Sequence, residues 1–303
     1  MSKMFITYVT TWGTPPLTLI QDMISKSVLT KNSLVLLAFA SFNFSSTDYI
    51  PGFGNLTLDD VKNIVTLVHS VGAKIGLSVG GATYPFYKSD LYSNPGLLAA
   101  NINTVLNNCE FDGADFDIED SYSSVPSDFV IQAASLINTL RSLNKNLIIS
   151  YTSPAQAWGI GMYQQQLLNL TIGNLTYWAP MEYDIWIDSS SNYYQQIQYD
   201  INFYINTWGV NQNKIILGLM PGDDDMGHDL SLQDALNLTT FSIDKGLLGV
   251  MTWDADIDST GIDGNAPYAY SMGIQSILNK NNHNAKKTKY HKKSLILKRM
   301  KLL

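Results

Sequence analysis

The sequence predicts an α/β fold with one domain, a TIM barrel in which eight parallel strands alternate with helices. Short apolar runs alternate eight times with longer amphipathic stretches along the 303 residues. The runs are rich in valine, isoleucine, leucine, phenylalanine and tyrosine, as expected of buried parallel strands. The alternation also fits a doubly wound open sheet, but no glycine-rich nucleotide fingerprint follows the first run. The eight units therefore favour a barrel, and we expect it to have no large insertion domain.

The predicted strands follow the apolar runs. In chain order they are Phe5–Thr11, Ser33–Ser41, Lys74–Val79, Gly113–Ile118, Leu147–Thr152, Tyr177–Tyr183, Lys214–Met220 and Gly249–Trp253. Residues suited to helix caps stand between them. Thr57 is followed by Asp59 and Asp60, and acids in a first turn complement the helix dipole. Ser127 and Ser231 each precede apolar residues at helical spacing, so we predict that both also begin helices.

The net charge of −7 is unevenly distributed. Residues 280–303 hold nine lysines and arginines and no acid, which leaves ten basic against 26 acidic residues in the rest. An acidic body argues against nucleic acid as a partner, because phosphate binding needs a basic surface. We expect residues 1–281 to form the barrel, as a monomer. Residues 282–303 are expected to form a basic tail that is peripheral or disordered.

The sequence gives no sign of a metal, a membrane span or a secretion signal. Cys109 is the only cysteine and the four histidines are scattered, so we expect no disulfide, no metal site and no cofactor. No apolar run is long enough to cross a bilayer. The residues from Met1 to Phe5 lead directly into a strand, without the apolar segment of a secretion signal. The sequence does not decide the cellular compartment of the protein, because a leader could have been removed.

The fourth predicted strand carries an unusual set of acids. Side chains on a strand alternate between its two faces, so Asp115, Asp117 and Glu119 point one way and the apolar residues between them point the other. In a barrel the apolar face would meet the helices. The carboxyls would then face the interior and approach the C-terminal mouth, where barrel active sites lie.

Crowding these acids on a buried face has a chemical consequence. Like charges and burial both raise the pKa of a carboxyl group. Glu119, nearest the mouth, could therefore stay protonated near neutral pH and act as a general acid. The alternative is that the acids lie on a solvated edge or bind Mg²⁺ or Ca²⁺. The apolar alternation and the position on the fourth of eight strands favour catalysis.

Four stretches in register resemble one family. Asp112–Glu119 matches the D-G-x-D-x-D-x-E signature of the family 18 glycoside hydrolases, the chitinase family. Ser78–Gly81 resembles the S-x-G-G motif of the third strand, and Met181–Asp184 resembles the M-x-Y-[D/N] motif of the sixth. Gly249–Asp254 resembles the eighth strand with its terminal tryptophan. The resemblance extends over about residues 4–280.

This resemblance implies a chitinase that cleaves β-1,4-N-acetylglucosamine linkages by a substrate-assisted retaining mechanism. It implies that Glu119 is the acid/base and that Asp117 orients the 2-acetamido group of the sugar, which acts as the nucleophile. Asp115 would lie deeper and share a proton with Asp117. Tyr183 would hydrogen-bond the acetamido carbonyl, and Trp253 would form the floor under the sugar.

Other residues are expected to contact the substrate. Met181 and Asp184 belong to the sixth-strand motif, and Ser78 and the glycines after it are interpreted as structural. Aromatic residues near predicted strand ends are expected to line a polymer groove; they are Trp12, Phe42, Trp158 and Trp186. Trp178 and Trp208 are interpreted as packing residues.

Only residues 221–230 separate the seventh strand from the next helix. No insertion domain fits there, which favours a shallow, open groove and endo-type cleavage. The stretch contains three consecutive acids, Asp223 to Asp225, and His228. We interpret it as a solvated loop, with a calcium site as the alternative.

Two alternatives to a chitinase stay open. An endo-β-N-acetylglucosaminidase that acts on N-glycans resembles the same signature. A catalytically weak chitin-binding lectin is the other, but such proteins typically lose the signature glutamate, and Glu119, Asp117 and Tyr183 are all present here.

Overall fold

Eight parallel strands close into a barrel in the computed structural model, which describes residues 2–121, 123–155, 163–187 and 192–283. The strands are β1 (Met4–Thr10), β2 (Ser33–Ala40), β3 (Lys74–Gly80), β4 (Gly113–Asp117), β5 (Ile148–Pro154), β6 (Tyr177–Met181), β7 (Ile216–Leu219) and β8 (Gly249–Thr252). Each strand pairs with its neighbours in sequence, and β8 pairs with β1 to complete the ring. The predicted TIM barrel is confirmed.

Helices surround the barrel. They are α1 (Pro16–Ser25), α2 (Leu58–Ser70), α3 (Pro95–Cys109), α4 (Phe129–Leu143), α5 (Tyr163–Thr171), α6 (Tyr193–Asn206) and α7 (Leu232–Asp244). A short helix, Ala255–Ser259, and a longer one over residues 269–283 follow β8. Three-residue 3₁₀ helices lie at Phe86–Lys88, Gln212–Lys214 and Ile262–Gly264. Among the described residues, no helix is long and apolar enough to span a membrane.

Two of the three predicted helix caps are confirmed. Thr57 accepts a hydrogen bond from the backbone N–H of Asp60, whose carboxylate accepts one from the N–H of Thr57, forming a capping box. Ser231 caps α7 through its side chain. The prediction for Ser127 is wrong by one residue, because Asp128 is the N-cap of α4. Its carboxylate makes no cap bond, since it accepts from Tyr92 and Gln132 instead.

The alternation of side chains along the strands produces two apolar layers. The larger one lies between barrel and helices and includes Ala114, Phe116 and Ile118 of the acidic segment. The smaller one fills the barrel interior with residues such as Ile6 and Leu36. The carboxyls of β4 therefore face inward, as the period of two predicts.

The stretch after β7 is more ordered than expected. It forms a small antiparallel hairpin in which Gly222–Asp223 pairs with Asp229–Leu230. A hairpin this short gives no periodic pattern, so the sequence predicts only a solvated loop here. We call residues 222–230 the β7 hairpin.

The C-terminal helix reaches into the stretch expected to be a tail. Its last described residues are 282 and 283. The side chain of Asn282 accepts a hydrogen bond from the N–H of Lys3 (2.6 Å) and donates one to the Lys3 carbonyl (2.9 Å). These bonds join the end of the helix to the start of β1. Residues 284–303 lie outside the described residues.

Candidate active site

A cleft of about 430 Å³ opens at the carboxyl ends of the barrel strands. It is lined by Trp12, Phe39, Ala82, Thr83, Asp117, Glu119, Pro154, Met181, Tyr183, Asp184, Asp225 and Trp253. Asp115 lies below it and is fully buried, whereas Glu119 follows the end of β4 and is half-buried. The acidic strand therefore runs from the barrel interior into the cleft.

Asp115 is held by four hydroxyl groups, which we call the hydroxyl cage. Its Oδ2 lies 2.9 Å from the Tyr8 hydroxyl and 2.8 Å from that of Ser78. Its Oδ1 lies 2.7 Å from the Ser150 hydroxyl and 2.9 Å from that of Thr152. Burial raises the pKa of Asp115, and these hydrogen bonds oppose the rise. A carboxylate with four donors is compensated for its burial, so it can stay charged inside the barrel.

Sequence reasoning missed most of the cage. Ser78 and Ser150 are the residues that pair with Asp115 on the two adjacent strands. Parallel strands in register place inward side chains of neighbouring strands at one level. The sequence does show small hydroxyl residues at inward positions of β3 and β5. Recognising them as partners of Asp115 requires the register between the strands.

Asp117 has a different environment. It is buried, and its Oδ1 has no hydrogen-bond partner among the described residues. Burial raises its pKa well above the ordinary value, and the charges of Glu119 and Asp115 raise it further. A buried oxygen that lacks a partner at the floor of a cleft is a position for a polar group of a ligand.

Glu119 has the properties of a proton-transfer group. Burial raises its pKa to about 7; a hydrogen bond from the backbone of Ala82 opposes the rise, and the charges of Asp184 and Asp120 add to it. A carboxyl group with a pKa near the working pH can both donate and accept a proton. Glu119 therefore combines access to the cleft with the chemistry of a general acid and base.

The residue after Glu119 fixes the chain there. The carboxylate of Asp120 accepts hydrogen bonds from the backbone N–H groups of Phe86 (3.1 Å) and Tyr87 (3.0 Å). The Asp120 carbonyl accepts one from the hydroxyl of Tyr163 (2.6 Å). The irregular chain beyond β4 is thus held from two sides, which limits the movement of Glu119.

Tyr183 and Met181 enter the cleft from the end of β6, and both are buried except where they line it. Burial raises the pKa of Tyr183 well above the ordinary value, and the charges of Asp117 and Glu119 act in the same direction. The tyrosine hydroxyl therefore stays protonated and can donate a hydrogen bond. Asp184 lies beside it at the rim of the cleft.

Aromatic rings form the opposite wall. Trp253 follows β8 and stacks on Phe39, with ring centroids 5.4 Å apart and planes 14° apart. Trp12 stacks on the same phenylalanine at 5.8 Å and is 62% exposed. Flat, partly exposed rings of this kind suit the C–H faces of sugars.

The chain matches the family model for glycosyl hydrolases family 18 over residues 4–228. It belongs to this family. The match includes the acidic strand and the sixth-strand motif, and it ends before β8, which carries Trp253. A search among curated proteins gave no significant match.

Solved structures share the fold of this family 18 domain. A GH18 chitinase from Pseudoalteromonas aurantia is 21% identical with a TM-score of 0.69, over 92% of this chain and 99% of that one. Active domain 2 of a thermostable chitinase from Pyrococcus furiosus is 18% identical with a TM-score of 0.72, over 92% and 96%. Catalytic domain 2 of the Group II chitinase from Ostrinia furnacalis is 15% identical with a TM-score of 0.69, over 92% and 97%. These similarities support the barrel assignment.

The cleft is lined by a different phenylalanine from the one expected in the groove. Phe42 is 2% exposed and packs against Phe86 in the outer layer. Phe39 lines the cleft instead. The pairing of β2 with β3 shifts register between Leu37 and Ala40, and this irregularity turns two consecutive residues, 38 and 39, towards the interior. Simple alternation could not predict that shift.

The remaining tryptophans have different positions. Trp186 is 67% exposed and does not line the cleft, and Trp158 lies outside the described residues. Trp178 is buried and donates to the Ser153 hydroxyl (3.0 Å), and Trp208 packs against it, as expected for packing residues.

The acids of the β7 hairpin do not form one solvated patch. Asp223 and Asp225 are exposed, whereas Asp224 is buried. Within the described ranges, no group of three or more histidine, cysteine or acidic side chains could hold a metal ion.

Proposed function

We propose that this family 18 domain is a chitinase that hydrolyses β-1,4 linkages between N-acetylglucosamine units with retention at the anomeric carbon. One observation carries the proposal: two carboxyls, one at the end of β4 and one two residues beyond it, have complementary properties. Glu119 lies in the cleft with a pKa of about 7, whereas Asp117 has a buried oxygen without a partner among the described residues. The first suits proton transfer, and the second suits a hydrogen bond to an acetamido N–H.

Glu119 acts in both halves of the reaction. Its protonated carboxyl donates to the glycosidic oxygen while the bond between this oxygen and the anomeric carbon breaks. The carbonyl oxygen of the 2-acetamido group forms the new bond to that carbon and gives an oxazolinium ion. The Glu119 carboxylate then removes a proton from a water molecule as the water attacks the same carbon. Two inversions at one carbon give net retention.

Asp117 and Asp115 stabilise the positive charge. Asp117 accepts the hydrogen bond of the acetamido N–H and thereby orients the carbonyl oxygen towards the anomeric carbon. The oxazolinium ion carries a positive charge, which favours the ionised form of Asp117. Asp115 lies deeper with its charge compensated by the hydroxyl cage, and it adds negative potential below the site. A proton shared between Asp115 and Asp117 remains part of this proposal.

The other cleft residues bind the sugar. Tyr183 donates a hydrogen bond to the acetamido carbonyl, and Trp253 packs against the face of the same sugar. Met181 fills the space beside Tyr183, and Asp184 accepts a hydrogen bond at the rim. Trp12 extends the aromatic surface beyond Trp253, since their ring centroids lie 6.3 Å apart.

Two structural relatives support an oligomer of N-acetylglucosamine as the substrate class. The Pyrococcus furiosus structures include catalytic-site mutants complexed with chito-oligosaccharides, and the Ostrinia furnacalis domain is a mutant in complex with a chito-oligomer. Endo-type cleavage is proposed on a separate ground. The β7 hairpin is short, and no inserted domain between β7 and α7 adds a wall to the cleft.

The test is a product profile with anomer detection. The purified protein is incubated with the N-acetylglucosamine pentamer, and proton NMR follows the fresh products. We expect the β-anomer first, no cleavage of the cellulose pentamer, and inhibition by a thiazoline analogue of the oxazolinium ion. An α-anomer as first product contradicts substrate assistance. Cleavage of a high-mannose glycoprotein in place of the pentamer would support the N-glycan alternative.

A further inference from the structure

The β7 hairpin folds back onto the segment that follows β6. Asp224 is the centre of this contact, and its side chain is buried. Its Oδ2 accepts hydrogen bonds from the backbone N–H of Asp184 (2.8 Å) and from Nδ1 of His228 (3.0 Å). Its Oδ1 accepts from the backbone N–H groups of Met226 (3.0 Å) and His228 (2.8 Å). Each oxygen therefore accepts two hydrogen bonds, from donors of the hairpin and from Asp184 in the segment after β6.

A second bond joins the same two segments in the opposite direction. The backbone N–H of Asp225 donates to Oδ1 of Asp184 at 2.7 Å. Asp184 itself has a φ of 52°, in the left-handed region that residues other than glycine rarely occupy. Such a conformation persists only where the surroundings hold it. Here the two bonds to the hairpin hold it.

The residue on the other side of Tyr183 is also fixed. The hydroxyl of Tyr193 donates to the carbonyl of Glu182 at 2.9 Å, and the ring of Tyr193 packs against His228 at 5.2 Å. The chain is thus anchored immediately before Tyr183 and immediately after it. His228 contributes to both anchors, through Asp224 and through Tyr193.

We propose that Asp224, which does not line the cleft, is a positioning residue that fixes Tyr183 and Asp184 for the reaction through the backbone of residue 184. This inference rests on the proposed function of the cleft. A carboxylate is suited to this place because all four of its neighbours are donors. Although burial raises the pKa of Asp224, the hydrogen bonds from His228 and Asp184 hold the pKa below its ordinary value.

The primary test compares Asp224→Asn with Asp223→Asn. The control removes the same charge from the same hairpin at an exposed side chain. An amide at position 224 keeps one acceptor oxygen and turns its NH₂ group towards the other pair of donors, so the bonds on one side of Asp224 are lost and its hold on residue 184 weakens. We expect kcat on the N-acetylglucosamine pentamer to fall about 10- to 100-fold in Asp224→Asn, with a smaller change in KM. We expect the control to stay within about twofold of the parent.

The pH profile supplies a readout that general loss of structure would not move. The charge of Asp184 contributes to the raised pKa of Glu119. If Asp184 moves away, the pKa of Glu119 falls and its protonated form is lost at lower pH. We therefore expect the basic limb of the kcat/KM profile to shift to lower pH in Asp224→Asn and to stay in place in the control.

Amide hydrogen exchange tests the contact without any activity. The exchange of residues 181–187 should accelerate in Asp224→Asn and not in Asp223→Asn. If the parent protein cleaves no N-acetylglucosamine oligomer, the proposed function fails. The exchange comparison still decides whether Asp224 fixes the backbone of residue 184. Unchanged exchange, or faster exchange with an unchanged kcat and pH profile, overturns the positioning role.

A second pair of variants guards against misfolding of the Asp224 variants. His228→Asn keeps an amide N–H near the position of Nδ1, whereas His228→Ala removes the donor. A higher kcat and slower amide exchange in His228→Asn than in His228→Ala support the proposed role of the hydrogen bond between His228 and Asp224. Equal kcat and equal amide exchange in the two variants would contradict the role of the His228 side chain and would overturn the proposal.

Discussion

The three carboxyls of the acidic segment, Asp115, Asp117 and Glu119, differ in their surroundings and therefore in how strongly each favours its neutral form. Asp115 is compensated by the hydroxyl cage, whereas Asp117 has an oxygen without a partner among the described residues and faces negative charge on both sides. Burial and these charges raise the pKa of Asp117 and therefore favour its neutral form. An acetamido N–H would supply the missing donor, so we expect Asp117 to ionise when substrate binds. Substrate binding and activation of this residue are then one event.

Replacing Glu119 by glutamine removes the proton and keeps the shape of the side chain. We expect kcat on the N-acetylglucosamine pentamer to fall roughly 10²- to 10⁴-fold, the usual contribution of a general acid. Binding of the pentamer, measured by titration calorimetry, should persist. The matched control is Glu110→Gln, an exposed glutamate at the end of α3. Near-parental turnover by Glu119→Gln would rule out the assignment.

The pKa of Glu119 also predicts how stability depends on pH. A carboxyl group whose pKa is higher in the folded than in the unfolded protein stabilises the folded state as long as the carboxyl group is neutral. That contribution is fully present below pH 4.5, the ordinary value, and is lost as the pH rises through about 7. The loss corresponds to about 3 kcal/mol. Urea unfolding should therefore show that Glu119→Gln is more stable than the parent at pH 8 and equal to it at pH 4. A constant difference at both pH values would contradict the raised pKa.

At the scale of elements, the loops beyond the strands shape the cleft. Trp12 lies on the loop after β1, and Asp256 of the short helix after β8 holds this loop. Its carboxylate accepts hydrogen bonds from the Thr10 hydroxyl (3.0 Å) and from the backbone N–H of Thr14 (2.9 Å). A Cβ at Gly13 would lie 2.7 Å from that carboxylate, so a larger residue there would have to displace the Asp256 side chain. The aromatic surface is therefore fixed before a substrate arrives.

Replacing Trp12 by alanine should affect long substrates more than short ones. A ring stacked on a sugar contributes on the order of 1 kcal/mol, so KM for the pentamer should rise about five- to tenfold. KM for the dimer and kcat should change little. Trp186→Ala, which removes an equally exposed tryptophan outside the cleft lining, is the control. Equal effects on the KM of dimer and pentamer would show that Trp12 contributes to the stability of the protein and not to a preference for longer substrates.

The elements also show why prediction from the sequence succeeded in some places and not in others. Strands and the inward acids follow a period of two, which the sequence displays directly. Phe39 was missed because the register shift in β2 breaks that period. The hydroxyl cage depends on the register between strands, which a single sequence does not contain. The sequence does not predict the burial of Asp224, because that burial depends on donors that the fold brings together, His228 of the same hairpin and Asp184 of the segment after β6.

At the scale of the whole molecule, the C-terminal helix over residues 269–283 is the last element that the structure describes. We expect removal of residues 284–303 to leave the thermal midpoint and activity on oligomers unchanged. Removal of residues 282–303 also deletes Asn282 and its two bonds to Lys3. That truncation should cost about 1–3 kcal/mol of unfolding free energy. Equal stability of the two truncated proteins would show that Asn282 has no structural part, and loss of activity in the shorter deletion would assign residues 284–303 to the domain.

The pairing of β8 with β1 has a consequence for how the protein is made. Thr252 bonds to Thr7, a partner 245 residues earlier in the chain. A ribosome has therefore released almost the whole barrel before the ring can close, and until then β1 and β7 are open sheet edges. Open edges pair with other chains. We therefore expect a chain interrupted before β8 to aggregate, because both edges of its sheet stay open to pairing with other chains.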